Sequence, residues 1–259
     1  MAFKKLFTES WSIVIREPLF WLLSLTLYLL FFSQRAVLYK TDIPLFVVLN
    51  IFIMFGILIS AGFLGFGIVY LSGQNIQGDD VGFAKIWEAF NNQLGTLIGF
   101  AVLLLAYLFI ATYSISWIIF QVLNFFFGNI DASSVIDYIS NMIGSAFAGP
   151  PAIIGIYSLV FENKRVVESF WIGVRYFFSS LLTYLLLSFV FLLPVLALDL
   201  LIGFIVIQGN PIFDFETFQQ TKSIPISSFT YHMVQAFVEP LFITATLLLF
   251  KKSRIKRNK

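Results

Sequence analysis

Residues 94–117 read LGTLIGFAVLLLAYLFIATYSISW, inside a charge-free run that extends from Ala89 to Ile130. A membrane-crossing helix needs about 20 predominantly apolar residues, and this stretch exceeds that length without a single ionisable side chain. The charge-free runs Ile43 to Gly78 and Tyr138 to Phe161 pass the same test. Working outward with a window of about 20 residues, the hydropathy pattern predicts six spans: Pro18 to Leu38, Val48 to Leu71, Leu94 to Trp117, Ile139 to Phe161, Phe177 to Leu198 and Thr230 to Phe250. The expected fold class is an all-α membrane protein with six transmembrane helices.

Composition agrees. Of 259 residues, 59% are hydrophobic and only 12% charged, against about 25% charged in a soluble domain. The 33 phenylalanines are read as apolar filler, since Phe is favourable at the centre of a membrane helix. With no cysteine and one histidine, disulfides, thiolate metal sites, cysteine nucleophiles and histidine metal clusters are excluded. The expectation is no metal and no cofactor. Lys4 and Lys5 are followed by Glu9, Arg16 and Glu17 before the first apolar stretch, and no small-residue cleavage site follows, so no removable signal peptide is expected.

Six crossings place both ends on one side. If that side is the cytoplasm, thirteen of the sixteen Lys and Arg lie inside: Lys4, Lys5, Arg16, Lys85, Lys164, Arg165, Arg175 and six in the tail after Phe250. Only Arg35, Lys40 and Lys222 lie outside. Basic residues resist translocation, so this split predicts a multi-pass protein of the cell membrane, plasma or inner, with both termini cytoplasmic. The tail, residues 251–259, is read as a basic segment held near anionic lipid, with nucleic-acid binding the weaker alternative.

An internal pattern divides the chain further. Glu9-Ser10-Trp11-Ser12-Ile13-Val14-Ile15-Arg16 lines up with Glu168-Ser169-Phe170-Trp171-Ile172-Gly173-Val174-Arg175, and Phe83 to Phe90 occupies the corresponding place before the third span. On a helical wheel Phe3, Leu6, Phe7, Trp11 and Val14 share one face, as expected of a helix lying in the membrane interface with its apolar face down. Pro151 stands ten residues before Phe161 and Pro240 ten before Phe250, with Gly62 ten before Ser72. A proline lacks the amide that would bond the carbonyl four residues back, so spans four and six are expected to kink, with neighbouring polar side chains meeting the freed group. The reading is one membrane domain, 1–250, of three units, 1–78, 79–161 and 162–250, each an interfacial amphipathic helix followed by a two-helix hairpin. Internal repeats are common in transporters, and duplication of a structural hairpin explains the pattern as well.

The Ser-Trp/Phe pair in the amphipathic segments, the loop from Phe161 to Ser169, and the run Pro240-Leu241-Phe242 leading to a basic tail resemble the six-helix membrane domain of some bacterial glycerophosphodiester phosphodiesterases and related stand-alone prokaryotic membrane proteins. The resemblance implies a six-helix membrane fold over nearly the whole chain. In those enzymes the catalytic barrel is a separate soluble domain that this chain lacks, so no hydrolase activity and no functional residue is carried over.

Glu239 is the leading candidate for chemistry. It lies about 18 Å from the start of the tail at 1.5 Å per residue, and a charge at that depth costs at least about 2.5 kcal/mol. The group is expected to be neutral, paired or beside water. Gln235 and His232 share its helix face and extend a polar stripe. A proton or cation relay, a headgroup contact, and a plain structural hydrogen bond to a neighbouring helix all remain open. Asp199 and His232 fall near the same outer level and form a candidate interfacial pair or two separately solvated groups. Asn50 is expected to bond across helices, and Gly56, Ser60, Gly62, Gly65 and Gly67 to allow close backbone packing. Asp79 and Asp80 are too small an acidic pair to define a metal site.

Enzyme classes fit poorly. Ser228 and His232 neighbour each other on one helix instead of facing across two, and Glu239 and Asp199 are the only formal carboxylate dyad, well separated in depth. The expected function is therefore non-enzymatic: a scaffold or lipid-interacting module with membrane lipids and a membrane or cytoplasmic protein as partners. The alternative is a small transporter or channel using Glu239.

Overall fold

The computed structural model describes residues 3–38, 44–79, 81–127, 133–206 and 225–257, and every regular element among them is helical. The described helices are α1 (Phe3–Arg16), α2 (Pro18–Leu38), α3 (Pro44–Gln77), α4 (Phe83–Phe127), α5 (Ser133–Phe161), α6 (Val166–Ser179), α7 (Leu181–Val206) and α8 (Pro225–Arg257). Proline opens α2, α3 and α8, at the one helical position where its missing amide costs nothing. Helix α3 closes on Gly78, whose φ of 92° suits glycine, with Asp79 N–H bonded to Gln74 O at 3.1 Å and Gly78 N–H to Asn75 O at 3.2 Å. That pair of bonds is a Schellman stop.

Among the described residues, Phe83–Val122 and Met233–Ile255 are long and apolar enough to cross a membrane. Two bent pairs bring the number to four if each is counted as one broken span. The chain is an all-helical membrane protein.

The bent pairs are α1 with α2 and α6 with α7, each turning through 90°. Both begin with a 14-residue helix and turn at a single residue, Glu17 or Ser180. At the first corner Glu17 N–H bonds Val14 O (3.4 Å) and Phe20 N–H bonds Glu17 O (3.1 Å). At the second, Ser180 N–H bonds Phe177 O (3.1 Å) and Thr183 N–H bonds Ser180 O (3.0 Å). Burial follows suit, with Leu6, Ser10 and Val14 inward on α1 and Ser169, Gly173 and Phe177 inward on α6. Past the corner the buried Phe20, Leu23, Ser24 and Leu27 match Tyr184, Leu187, Ser188 and Phe191 in a register one residue longer than that of the corners. The corners align Glu17 with Ser180, one helical turn away from the register in which Glu9 matches Glu168. A one-turn slip preserves the helix face, so amphipathic similarity alone leaves the register undetermined.

The third amphipathic segment departs from expectation. Phe83 to Phe90 continues without a break into α4, a single helix of 45 residues. At the first corner Pro18 removes an amide. At the second the Ser179 hydroxyl takes Tyr176 O at 2.9 Å, drawing a carbonyl away from the helix ladder. No proline stands among Asn91, Asn92 and Gln93.

The chain divides into two compact units, Met1–Leu94 with Val160–Glu162 and Pro225–Lys259, and Gly95–Leu159 with Asn163–Ile224. In the first, α2 packs on α3 and α8, α3 on α8, and α1 along α8. Phe83, Trp87 and Phe90 surround Phe63 of α3 at ring-centre distances of 5.6, 5.4 and 5.2 Å. In the second unit α6 lies on α5. A Cβ on Gly173 would overlap the Pro151 carbonyl oxygen, and Phe147 meets Phe177 edge-on at 5.4 Å.

The amphipathic faces differ from the single apolar arc expected. On α1, Leu6 and Val14 pack inward while Phe7, Trp11 and Ile15 are exposed. Ile86 and Phe90 are likewise buried with Phe83 and Trp87 exposed, and Gly173 and Phe177 buried with Val167, Trp171 and Phe178 exposed. Each arc is shared between protein and surroundings. The small-residue series is also corrected. Gly67 meets Leu23 and Ile86, but a Cβ on Gly56, Gly62 or Gly65 would find open space. The side chain of Asn50 and all of Asp80 lie outside the described residues.

Candidate functional site

The site is built on α8, where Pro240 interrupts the backbone ladder. The carbonyl left without its amide is Ala236 O, and the buried Ser24 hydroxyl of α2 donates to it at 2.8 Å. Pro151 on α5 leaves Phe147 O in the same position, and Tyr107 OH of α4 donates to it at 3.4 Å. At each of these prolines, a polar side chain from a neighbouring helix meets the freed carbonyl.

One residue before Pro240 stands Glu239, which accepts a hydrogen bond from Tyr28 of α2. Its other oxygen, Oε2, is buried without a hydrogen-bond partner. Gln235 is half-buried one turn away, and Trp21 packs against Phe237 at 5.2 Å. His232 is on α8 and Asp199 on α7, but both side chains lie outside the described residues, as does any pairing between them.

The opposite side of α8 is held by Thr244, whose hydroxyl shares a 3.0 Å hydrogen bond with Ser72 of α3. Thr246, equally buried, has a hydroxyl with no partner. Among the described residues, no three His, Asp or Glu side chains are grouped to hold a metal ion.

The basic tail is organised beyond what charge counting anticipates. Helix α8 runs on to Arg257. Lys251 Nζ donates to Ile76 O at the end of α3 (3.2 Å), Lys252 pairs with Glu9 of α1, and Arg254 pairs with Glu162 after α5. Cations suit a helix C-terminus because its last carbonyls carry partial negative charge. These three charges are engaged within the protein.

Tyr28, Ser24 and Thr246 were missed from sequence. Tyr28 and Ser24 carry no signal beyond being polar in an apolar span, whereas Thr246 stands seven residues after Glu239 and was legible from that spacing. No protein-family model, no curated protein and no solved structure matches the chain.

Proposed function

We propose that the chain is a non-enzymatic membrane module that engages the lipid headgroup region and works with a membrane or cytoplasmic protein partner. The carrying observation is the divided amphipathic helix: on α1 the line Phe7, Trp11 and Ile15 is exposed beside Lys4, Lys5 and Arg16, while Leu6, Ser10 and Val14 hold the helix to the protein. Tryptophan and long cationic side chains favour the membrane–water interface. The exposed pairs Trp87 with Lys85 and Trp171 with Arg175 repeat the combination.

The wider architecture in this reading has six spans in three units, with both termini at the cytoplasmic face of the cell membrane, and needs no cofactor or nucleic acid. Support comes from the two matching corners and from an exchange of partners. The three amphipathic segments lie on α8, α3 and α5, in each case the second helix of a hairpin belonging to the preceding unit in cyclic order. The likeness to the membrane domain of the phosphodiesterases fits the same plan.

Quenching of single-tryptophan variants by brominated lipids tests the lipid reading. Trp11, Trp87 and Trp171 are expected to be quenched most by bromines placed near the headgroups; strongest quenching by bromines near the acyl-chain ends would sink it. Native mass spectrometry then tests for a protein partner in fixed ratio.

A second reading, a small transporter or channel using Glu239, is favoured by the buried, unpartnered Oε2 beside Tyr28. It predicts loss of flux in E239Q without loss of folded protein.

A further inference from the structure

Helix α8 carries a polar residue at every seventh position: His232, Glu239, Thr246 and Ser253. Seven residues are nearly two helical turns, so the four lie close to one line along the helix. The line is about 31 Å long, close to the thickness of a bilayer hydrocarbon core. Gln235 lies along it.

Two members behave unlike ordinary buried polar groups. Buried hydroxyls normally find a partner, and in helices that partner is often the carbonyl one turn back. Ser10 and Ser253 do this, bonding Leu6 O and Phe250 O at 2.8 Å each. Thr246 is 0% exposed and its hydroxyl bonds nothing, and Oε2 of Glu239 is in the same condition. Thr244, two residues from Thr246 but on another face, is satisfied by Ser72. Partnerless buried oxygens also occur elsewhere, at Ser158, Ser169 and Ser188, but among the described residues of α8 they are those of Glu239 and Thr246, both on the line.

We propose that this line is a proton path, with Glu239 as its proton-binding group, Thr246 as a relay and Ser253 at its mouth on the tail side. Glu239 and Thr246 are about 10 Å apart along the axis, and the path requires two or three water molecules to bridge them. A hydronium ion at the Ser253 end passes a proton to the Thr246 oxygen and is left as water, while Thr246 releases its own hydrogen to the next water and stays a hydroxyl. The Glu239 carboxylate takes up the proton at Oε2 and releases it to water towards the His232 end of the helix, which regenerates the carboxylate, and Tyr28 donates to the carboxylate throughout. This rests on the transporter reading and names its ion.

The absence of native cysteine makes the test clean. Single cysteines T246C, A245C and L247C replace side chains that are 0, 0 and 1% exposed. In the full chain reconstituted into liposomes, T246C is expected to react with a small charged methanethiosulfonate about tenfold faster than the other two, because only a hydrated thiol ionises readily. Equal rates overturn the path. Proton entry driven by an imposed potential and read with a trapped pH dye is expected to fall to the protein-free level in E239Q. The same flux should fall about fivefold in T246V, as a relay is interrupted. Flux lost in E239Q but unchanged in T246V, with T246C inert, overturns the path and retains Glu239 as a transport group. Flux that E239Q leaves intact overturns the Glu239 reading too, and wild-type flux at the protein-free level overturns the proton path.

Discussion

Helices α8 and α5 solve the same problem with different materials. Each has a proline ten residues before a phenylalanine and a neighbour's side chain on the freed carbonyl. On α8 the donor is a short serine, which requires α2 to lie close; on α5 it is a tyrosine, which bridges from farther away. The residue before the proline differs as well, being Glu239 on α8 and a second proline, Pro150, on α5. Ser188, the counterpart of Ser24, is buried with its hydroxyl unbonded. A shared proline-and-donor plan therefore carries an ionisable group in one place and a purely structural one in the other, and chemistry is to be sought on α8.

The largest effect is expected at the close approach in the second unit. Gly173→Val forces a side chain into the Pro151 carbonyl and should cost about 3 kcal/mol, as overpacking does. Ser10, its counterpart on α1, already carries a Cβ, and Ser10→Ala should change stability by under about 1 kcal/mol. Thermal unfolding in detergent compares the two; equal losses would break the correspondence of α1 with α6.

Next comes the donor itself. Ser24→Ala leaves Ala236 O buried and unmet, expected to cost about 1–3 kcal/mol, while Tyr107→Phe, removing a long bond from a half-buried residue, should cost less. The comparison is sharpened by Pro240→Ala, which restores the amide that bonds Ala236 O. In that background the Ser24→Ala penalty should shrink, a coupling read from a double-mutant cycle. A penalty unchanged by Pro240→Ala would show that Ser24 acts on something other than the freed carbonyl.

The smallest effect belongs to the tail. Lys252 and Glu9 are each about one-third exposed, and a pair of that kind is worth about 0.5 kcal/mol and is weakened by salt. A double-mutant cycle at low and high salt should give a coupling that fades with ionic strength; a coupling insensitive to salt would point to packing instead.

Much of this was legible beforehand, for identifiable reasons. Charge-free runs announce membrane helices because lipid tolerates few charges, and the prolines announce Ala236 O and Phe147 O because a missing amide is a local covalent fact. The first corner is written in Pro18. Sequence identities and corner positions give registers of α1 on α6 that differ by one turn, because a helix face repeats every turn. The missing third corner required the absence of a breaker after Phe90 to be weighed as heavily as the amphipathic pattern before it. Tyr28, Ser24, Glu9 and Glu162 acquire their roles from helices distant in sequence, and no local pattern encodes such partners.

The hydrogen bond from Ser24 to Ala236 O joins residues 212 positions apart. At a synthesis rate of about 5–20 residues per second, the serine waits roughly 10–40 seconds for the carbonyl it will serve. The α1–α2 corner is therefore synthesised well before α8 and gains that neighbour only after the intervening chain has been made. During that interval the Ser24 hydroxyl and the Tyr28 phenol face lipid or the insertion machinery, and the first unit closes only when the last helix arrives.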